Sequence, residues 1–221
     1  MTSIAKLKDR ARKHEQKEDW KAAIEAYQEV LAAEEKGDEL ELELGLFNRI
    51  GDLYLRLGQT DDAVGYYERA ADKYAEAGFF NNAIALCNKA LRYNPDRLEL
   101  VRKLGQFSAS QGVITDARRY FLDYAERQFK AGKVSEALAA LEDFANVADD
   151  VEVREMLGRQ LLAHGRTNDA IDELMMTTKG EPGPSVARIV VAKAPSSEAI
   201  TAAVGMPLAS SRAKVGPERM A

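Results

Sequence analysis

Sulfur and imidazole are scarce in this sequence of 221 residues, which has one cysteine, Cys87, and two histidines, His14 and His164. A lone cysteine closes no internal disulfide, and so few scattered ligands make no zinc site, which points to a reducing compartment, no metal and no other cofactor. Long apolar runs are missing too. The longest, Ala199 to Ala209, falls well short of the ~18 residues that suggest a membrane span, and the N-terminus is charged where a signal peptide is apolar. A cytoplasmic protein without membrane insertion is expected. Positive charge is not in excess, with 31 Lys and Arg against 36 Asp and Glu for a net −5, so the electrostatic footprint of a nucleic-acid binder is absent. Neither GxSxG, HExxH, a P-loop nor a dinucleotide glycine motif occurs, and a non-catalytic protein is expected.

Proline and the aromatics divide the chain between them. Pro95 is the one proline before Gly180, whereas Pro182, Pro184, Pro195, Pro207 and Pro217 crowd the last 42 residues, and all 16 aromatics lie before Gly180. Residues 1–179 carry 26 basic and 33 acidic side chains, net −7, while residues 180–221 carry five and three, net +2. The expected organisation is a helical domain over 1–179 and a tail over 180–221. Without aromatics, and with proline interrupting each candidate helix, the tail has little apolar surface to offset its ordering entropy and reads as disordered. Within it, Val186-Ala-Arg-Ile-Val-Val-Ala reads as a strand or a partner-binding segment with no pairing partner in view.

Through residues 1–179 the apolar side chains recur at three- and four-residue steps, so the domain reads as all-α. Five hinges share a glycine, a residue able to cap a helix, and an alanine that opens the next apolar stripe. They are Gly58 with Ala63, Gly78 with Ala83, Gly112 with Ala117, Gly132 with Ala137 and Gly165 with Ala170. The glycine is expected to close one helix in the left-handed conformation, and a Thr, Asn, Ser or Asp side chain to accept from a free N–H of the next. A sixth hinge, Glu18-Asp19-Trp20-Lys21-Ala22-Ala23, has the alanine but no glycine. Twelve residues before these six alanines stand small residues, Ala11, Gly51, Ala71, Gly105, Ala125 and Gly158. Four residues after them stand larger or apolar ones, Tyr27, Tyr67, Cys87, Phe121, Leu141 and Leu174. Two antiparallel helices joined by a tight turn approach closely only where the crossing side chains are small, and large residues then fill the space around it. Cys87 belongs to this stripe and reads as a small buried hydrophobe, not a nucleophile.

The stretch Phe47-x2-Ile50-Gly51-x2-Tyr54-x3-Gly58-x4-Ala63-x3-Tyr67-x2-Ala70 resembles a complete tetratricopeptide repeat, and Ala83-Ile84 through Ala90-Leu91 to Asn94-Pro95 resembles the closing half of another. The resemblance spans residues 3–178, with Arg10 and Arg154 at positions that the family usually makes apolar. It implies a right-handed α-solenoid of antiparallel helix pairs that binds another protein or a peptide in its concave groove. The marker alanines are 40, 20, 34, 20 and 33 residues apart, against ~34 in a regular array. A step of 20 leaves room for one helix, so helices 60–77 and 113–131 should each end one hairpin and begin the next. Ten antiparallel helices result, at 3–15, 19–36, 39–57, 60–77, 80–93, 96–111, 113–131, 133–147, 150–164 and 167–178. Sharing a helix reverses which helix lines the groove beyond residue 60.

Helix 39–57 offers the best binding surface. Its apolar stripe, Phe47, Ile50, Tyr54 and Leu57, leaves Asn48, Asp52 and Arg56 together on the adjacent face, which the resemblance places in the groove. An Asn there can both donate to and accept from a partner backbone, and the Asp and Arg add charge specificity. Lys8 and Arg12 join them as a partial match to the basic residues with which some members of the family grip a carboxylate, a ligand that Asp52 opposes. Asp52 itself is expected to be an exposed charge of little weight in stability. Trp20 and Phe80 read as aromatics packing over the hinges, with ligand stacking as the other reading. The acidic run Glu34 to Glu43 reads as a solvated hinge or a dock for a basic partner. The expected function is a protein-binding adaptor or scaffold, with a peptide-sensing regulator or secretion-type chaperone on the same fold as the alternative. The last hairpin should leave an open end, to be covered by self-association, by the tail folding back, or by a helix pair lost if a frameshift changed the ending.

Overall fold

The computed structural model describes residues 4–34, 44–148 and 150–176. The tail over 180–221, the boundary at 179/180 and residues 35–43 of the acidic run lie outside them. Two compact units divide at 148/149. The first holds α1 (Ile4–Gln16), α2 (Trp20–Glu34), α3 (Gly45–Arg56), α4 (Thr60–Glu76), α5 (Phe80–Tyr93), α6 (Leu98–Ser110), α7 (Ile114–Lys130) and α8 (Val134–Ala148). The second holds α9 (Val151–Ala163) and α10 (Thr167–Met176). All ten expected helices are present, and the described residues contain no strand.

The hinges explain why the helices turn back where they do. Gly58, Gly78, Gly112, Gly132 and Gly165 all have φ between 74° and 82°, the left-handed conformation that costs glycine little. In each hinge the next N–H donates to the carbonyl five residues back, as from Gln59 to Tyr54 at 2.9 Å and Phe79 to Tyr74 at 2.8 Å, which satisfies an orphan carbonyl of the closing helix. Glu18 fills the glycine's place in the sixth hinge at φ 58°, and Asp19 N–H donates to the His14 carbonyl at 3.0 Å. The expected side-chain caps are corrected at three of these starts. α4, α5 and α7 begin with Gln59, Phe79 and Val113 at the N-cap and no side-chain cap bond, because the helix restarts two residues after the glycine and draws Thr60, Asn81 and Thr115 into its first turn. Asp61, Asp62 and Asp116 there still favour the helix dipole. Side-chain caps do form elsewhere: Asp19 accepts from Ala22 N–H at 3.4 Å, and Asp150 accepts from Glu152 and Val153 N–H at 3.1 and 3.2 Å.

The marker alanines Ala23, Ala63, Ala83, Ala117, Ala137 and Ala170 are wholly buried. At three of the crossings the small residue and the large one meet directly, Gly51 with Tyr67, Gly105 with Phe121 and Gly158 with Leu174. α4 packs on both α3 and α5, and α7 on both α6 and α8, so each is shared between two hairpins as the 20-residue steps require. Helices two apart are then bridged. Lys89 on α5 bonds to Asn48 and Asp52 on α3, and Lys103 on α6 bonds to Asp72 on α4 at 2.7 Å. The first unit is thus two rows of helices, odd and even, with an apolar core of Phe47, Ile50, Val64, Tyr67, Leu100 and Leu104 between them. Arg10 and Arg154, unusual for the family, are both answered by a glutamate on the next helix, Arg10 by Glu29 and buried Arg154 by Glu173 at 2.9 Å.

Candidate functional site

Three helices of the odd row meet around α3. On α1, Glu15 is mostly buried, accepts from the Tyr27 hydroxyl at 3.0 Å and is ion-paired with Arg49 of α3. Tyr27 is held there by the alanine-plus-four spacing of the α1–α2 crossing. On the other flank of α3, Asp52 accepts from the Tyr67 hydroxyl at 2.6 Å and from Lys89 of α5 at 2.5 Å, and Lys89 also donates to Asn48 at 2.9 Å. The Lys89 ammonium lies 4.3 Å from the centroid of the Tyr67 ring, so the ring's electron-rich face adds to the two oxygen contacts. Burial, reinforced by the bond to Asp52 and its charge, pushes the Tyr67 phenol well above its ordinary value and keeps it a donor. Two charge pairs, Glu15 with Arg49 and Asp52 with Lys89, therefore pin the row together.

Between these helices lie two adjoining hollows. One, of about 460 Å³, is lined by Arg12, Glu15, Gln16, Trp20, Tyr27 and Arg49. The other, of about 400 Å³, is lined by Glu15, Trp20, Arg49, Asp52, Leu53, Leu55, Arg56 and Tyr93. Trp20, Glu15 and Arg49 form the wall common to both. Trp20 is half-buried against the core at the first hinge, and the Arg56 guanidinium stands 6.0 Å from its ring centroid. A third hollow of about 220 Å³ is lined by Asn48, Tyr74, Asn82, Ala85, Leu86 and Lys89.

Of the residues singled out in the sequence, Arg12, Asp52 and Arg56 come together around the two joined hollows. Asn48 faces the third hollow, and its oxygen is already engaged by Lys89. Lys8, half-buried one turn before Arg12, is not among the residues lining these hollows and is engaged within the chain. Asp52 departs from expectation. It is not a freely exposed charge but one held by a tyrosine and a lysine, since the shared helix α4 brings α5 alongside α3. Glu15, Arg49, Lys89 and Tyr93 were missed as site residues. Arg49 was legible, for Arg49, Asp52 and Arg56 share one helix face at three- and four-residue steps. Among the described residues no group of three His, Cys, Asp or Glu is placed to hold a metal ion, and no helix is long and apolar enough to cross a membrane.

The model of the tetratricopeptide repeat family matches residues 8–76 and 70–129, more than half of the chain. The chain belongs to the tetratricopeptide repeat family. The matched region contains every residue that lines the two hollows. Solved structures similar to this tetratricopeptide repeat protein include TPR-like repeats of a putative kinesin light chain from Podosopora anserina, with 20% identity over 81% of this chain and 96% of that one and a TM-score of 0.35. A TPR repeats protein from Bacteroides fragilis has 14% identity over 87% and 98%, with a TM-score of 0.37. The TPR2AB domain of yeast Sti1, in complex with an HSP90 peptide, has 13% identity over 86% and 84%, with a TM-score of 0.28. No curated protein matches the chain. The tetratricopeptide repeat fold supports a general role as an adaptor in protein–protein interaction, and it is typically non-catalytic.

Proposed function

We propose that this tetratricopeptide repeat protein is a non-catalytic adaptor that holds a partner protein or peptide in the cleft between α1, α3 and α5. The observation that carries the reading is the placement of Arg12, Trp20, Asp52 and Arg56, from three different helices, around two hollows that share one wall. Arg and Trp are, with Tyr, the residue types most enriched among those that dominate binding at protein interfaces, Trp through its large contact area and Arg through its fork of directed hydrogen bonds. Asn48 extends the surface with the donor end of its amide, and Lys8 and Arg12 extend it along α1. Trp20 thereby combines the two roles considered for it, packing over the hinge with one face and offering the other to a ligand.

A photo-cross-linking side chain in place of Gln16, exposed at the edge of the first hollow, and as a control at exposed Glu142 of α8, tests the site in the cell of origin. Partner cross-links should form from position 16 and be lost when Arg12→Glu is added, with no matching product from position 142. Equal products from both positions would remove the cleft as the partner site.

A further inference from the structure

The charges lining the cleft are not equally engaged. Glu15 is answered twice, by Arg49 and by the Tyr27 hydroxyl. Asp52 is also answered twice, by Lys89 and by the Tyr67 hydroxyl. Arg12 and Arg56 remain, and among the described residues neither has a carboxylate partner; both are exposed, and Arg56 has only the Trp20 ring at 6.0 Å. Arg12, Arg49 and Arg56 against Glu15 and Asp52 give the two hollows a surplus of one positive charge, and Lys89, which answers Asp52 from beside them, leaves both Arg12 and Arg56 unmatched on a chain of net −5. A local surplus against an acidic background draws in a short anionic segment while the rest of the surface repels a long polyanion, since nucleic-acid binding rests on many phosphate contacts.

Resting on the reading of this cleft as the partner site, we propose that Arg12 and Arg56, on either side of Trp20, take an acidic peptide segment of the partner. Side-chain carboxylates meet the two guanidinium groups, whose paired N–H donors match a carboxylate edge. An apolar side chain between them lies against the indole. The ligand is distinguished by acidic side chains within a chain, not by a free C-terminus.

Trp20 is the only tryptophan, so its fluorescence reports on the site without a label. The probe is the peptide acetyl-Glu-Ala-Leu-Glu-Ala-Leu-Glu-amide, blocked at both ends, titrated into the full chain by fluorescence and by calorimetry. Saturable binding is expected, weakening severalfold as NaCl is raised from about 50 to about 300 mM. Replacing the three Glu of the peptide by Gln, or Arg12→Gln or Arg56→Gln in the protein, should each weaken binding about fivefold to tenfold, on the scale of one charge-assisted contact. The variants should melt at the parent temperature, and Arg159→Gln on α9 should bind as the parent does. No binding by either method, equal binding of the Gln peptide, or tighter binding of a thymidine oligonucleotide than of the acidic peptide would each overturn the proposal. If cross-linking from position 16 persists while the acidic peptide fails, the ligand class falls and the partner site stands.

Discussion

Gly51 and Tyr67 compete for one space: a Cβ built on Gly51 would stand 2.6 Å from Cε1 of the Tyr67 ring. The ring has nowhere to go. It is wholly buried, and its hydroxyl is tied to Asp52 at 2.6 Å. Gly51→Ala should therefore cost about 1–3 kcal/mol by overpacking the α3–α4 crossing. Gly65 on α4 is also helical but has open space around it, so Gly65→Ala should instead stabilise by about 0.5–1 kcal/mol through helix propensity. Chemical denaturation of the two variants checks the pair, and effects of the same sign would contradict the crossing geometry.

Glu18 carries a backbone conformation that the five other hinges assign to glycine. At φ 58° its Cβ crowds the backbone in a way that a glycine avoids, and the left-handed region costs a side-chain-bearing residue about 1–2 kcal/mol. Part of that is offset by the larger entropy a glycine loses on folding, so Glu18→Gly should stabilise by about 0.5–1 kcal/mol. The reverse change, Gly58→Ala at φ 74°, should destabilise by a similar amount. A lower melting temperature for Glu18→Gly would show that this hinge is held by other means.

Elements were more legible in the sequence than contacts, and the reason is locality. The glycine-to-alanine hinges and the small residue twelve positions before each alanine are patterns within one or two helices, and they located all ten helices, the expected start of the third at residue 39 lying outside the described residues. The shared helices followed from the 20-residue steps alone. The face of α3 carrying Asn48, Asp52 and Arg56 was also legible, being a matter of helical period. What the pattern left out was the occupant of that face. Lys89 reaches Asp52 across 37 residues, and the contact exists because two hairpins share α4 and set α5 beside α3. Neither residue carries a local mark of the other. The caps were misread for a different reason: Thr60 and Asn81 look like N-caps by residue type, but the left-handed glycine and the carbonyl bond of the residue after it restart the helix earlier, with Gln59 one residue before Thr60 and Phe79 two before Asn81 as the N-caps.

Asp52→Lys tests that correction. As an exposed charge it would leave stability nearly unchanged; as the acceptor shared by Tyr67 and Lys89 it should not. The substitution leaves the Tyr67 hydroxyl without its acceptor and sets two lysines against each other, so a loss of about 1–3 kcal/mol is expected. Adding Lys89→Met should recover part of the loss, because it removes the repulsion that Asp52→Lys creates. Strict additivity in this double-mutant cycle would mean that Asp52 and Lys89 do not act as a pair.

Acid stability should depend on Glu68 of the even row. Burial opposes its ionisation, but hydrogen bonds and charge from Lys103, at 2.9 Å, and from Arg97, at 2.6 Å, outweigh that and hold its carboxyl below the ordinary value. A carboxylate whose pKa is lower in the folded chain than in the unfolded one stabilises the fold above the unfolded value, and that contribution fades as pH falls through the folded value. Lys103 is shared with Asp72 at 2.7 Å, and although burial acts to lower its pKa, its two carboxylate partners raise it, so the lysine stays charged throughout this range. Glu68→Gln removes the linkage at its source. Parent and variant should therefore differ most in melting temperature near pH 7 and converge as the pH falls through the folded carboxyl's lowered value, where the parent's carboxylate takes up its proton. A difference that stays constant across that range would mean that Glu68 contributes through packing and neutral hydrogen bonds instead of through its charge.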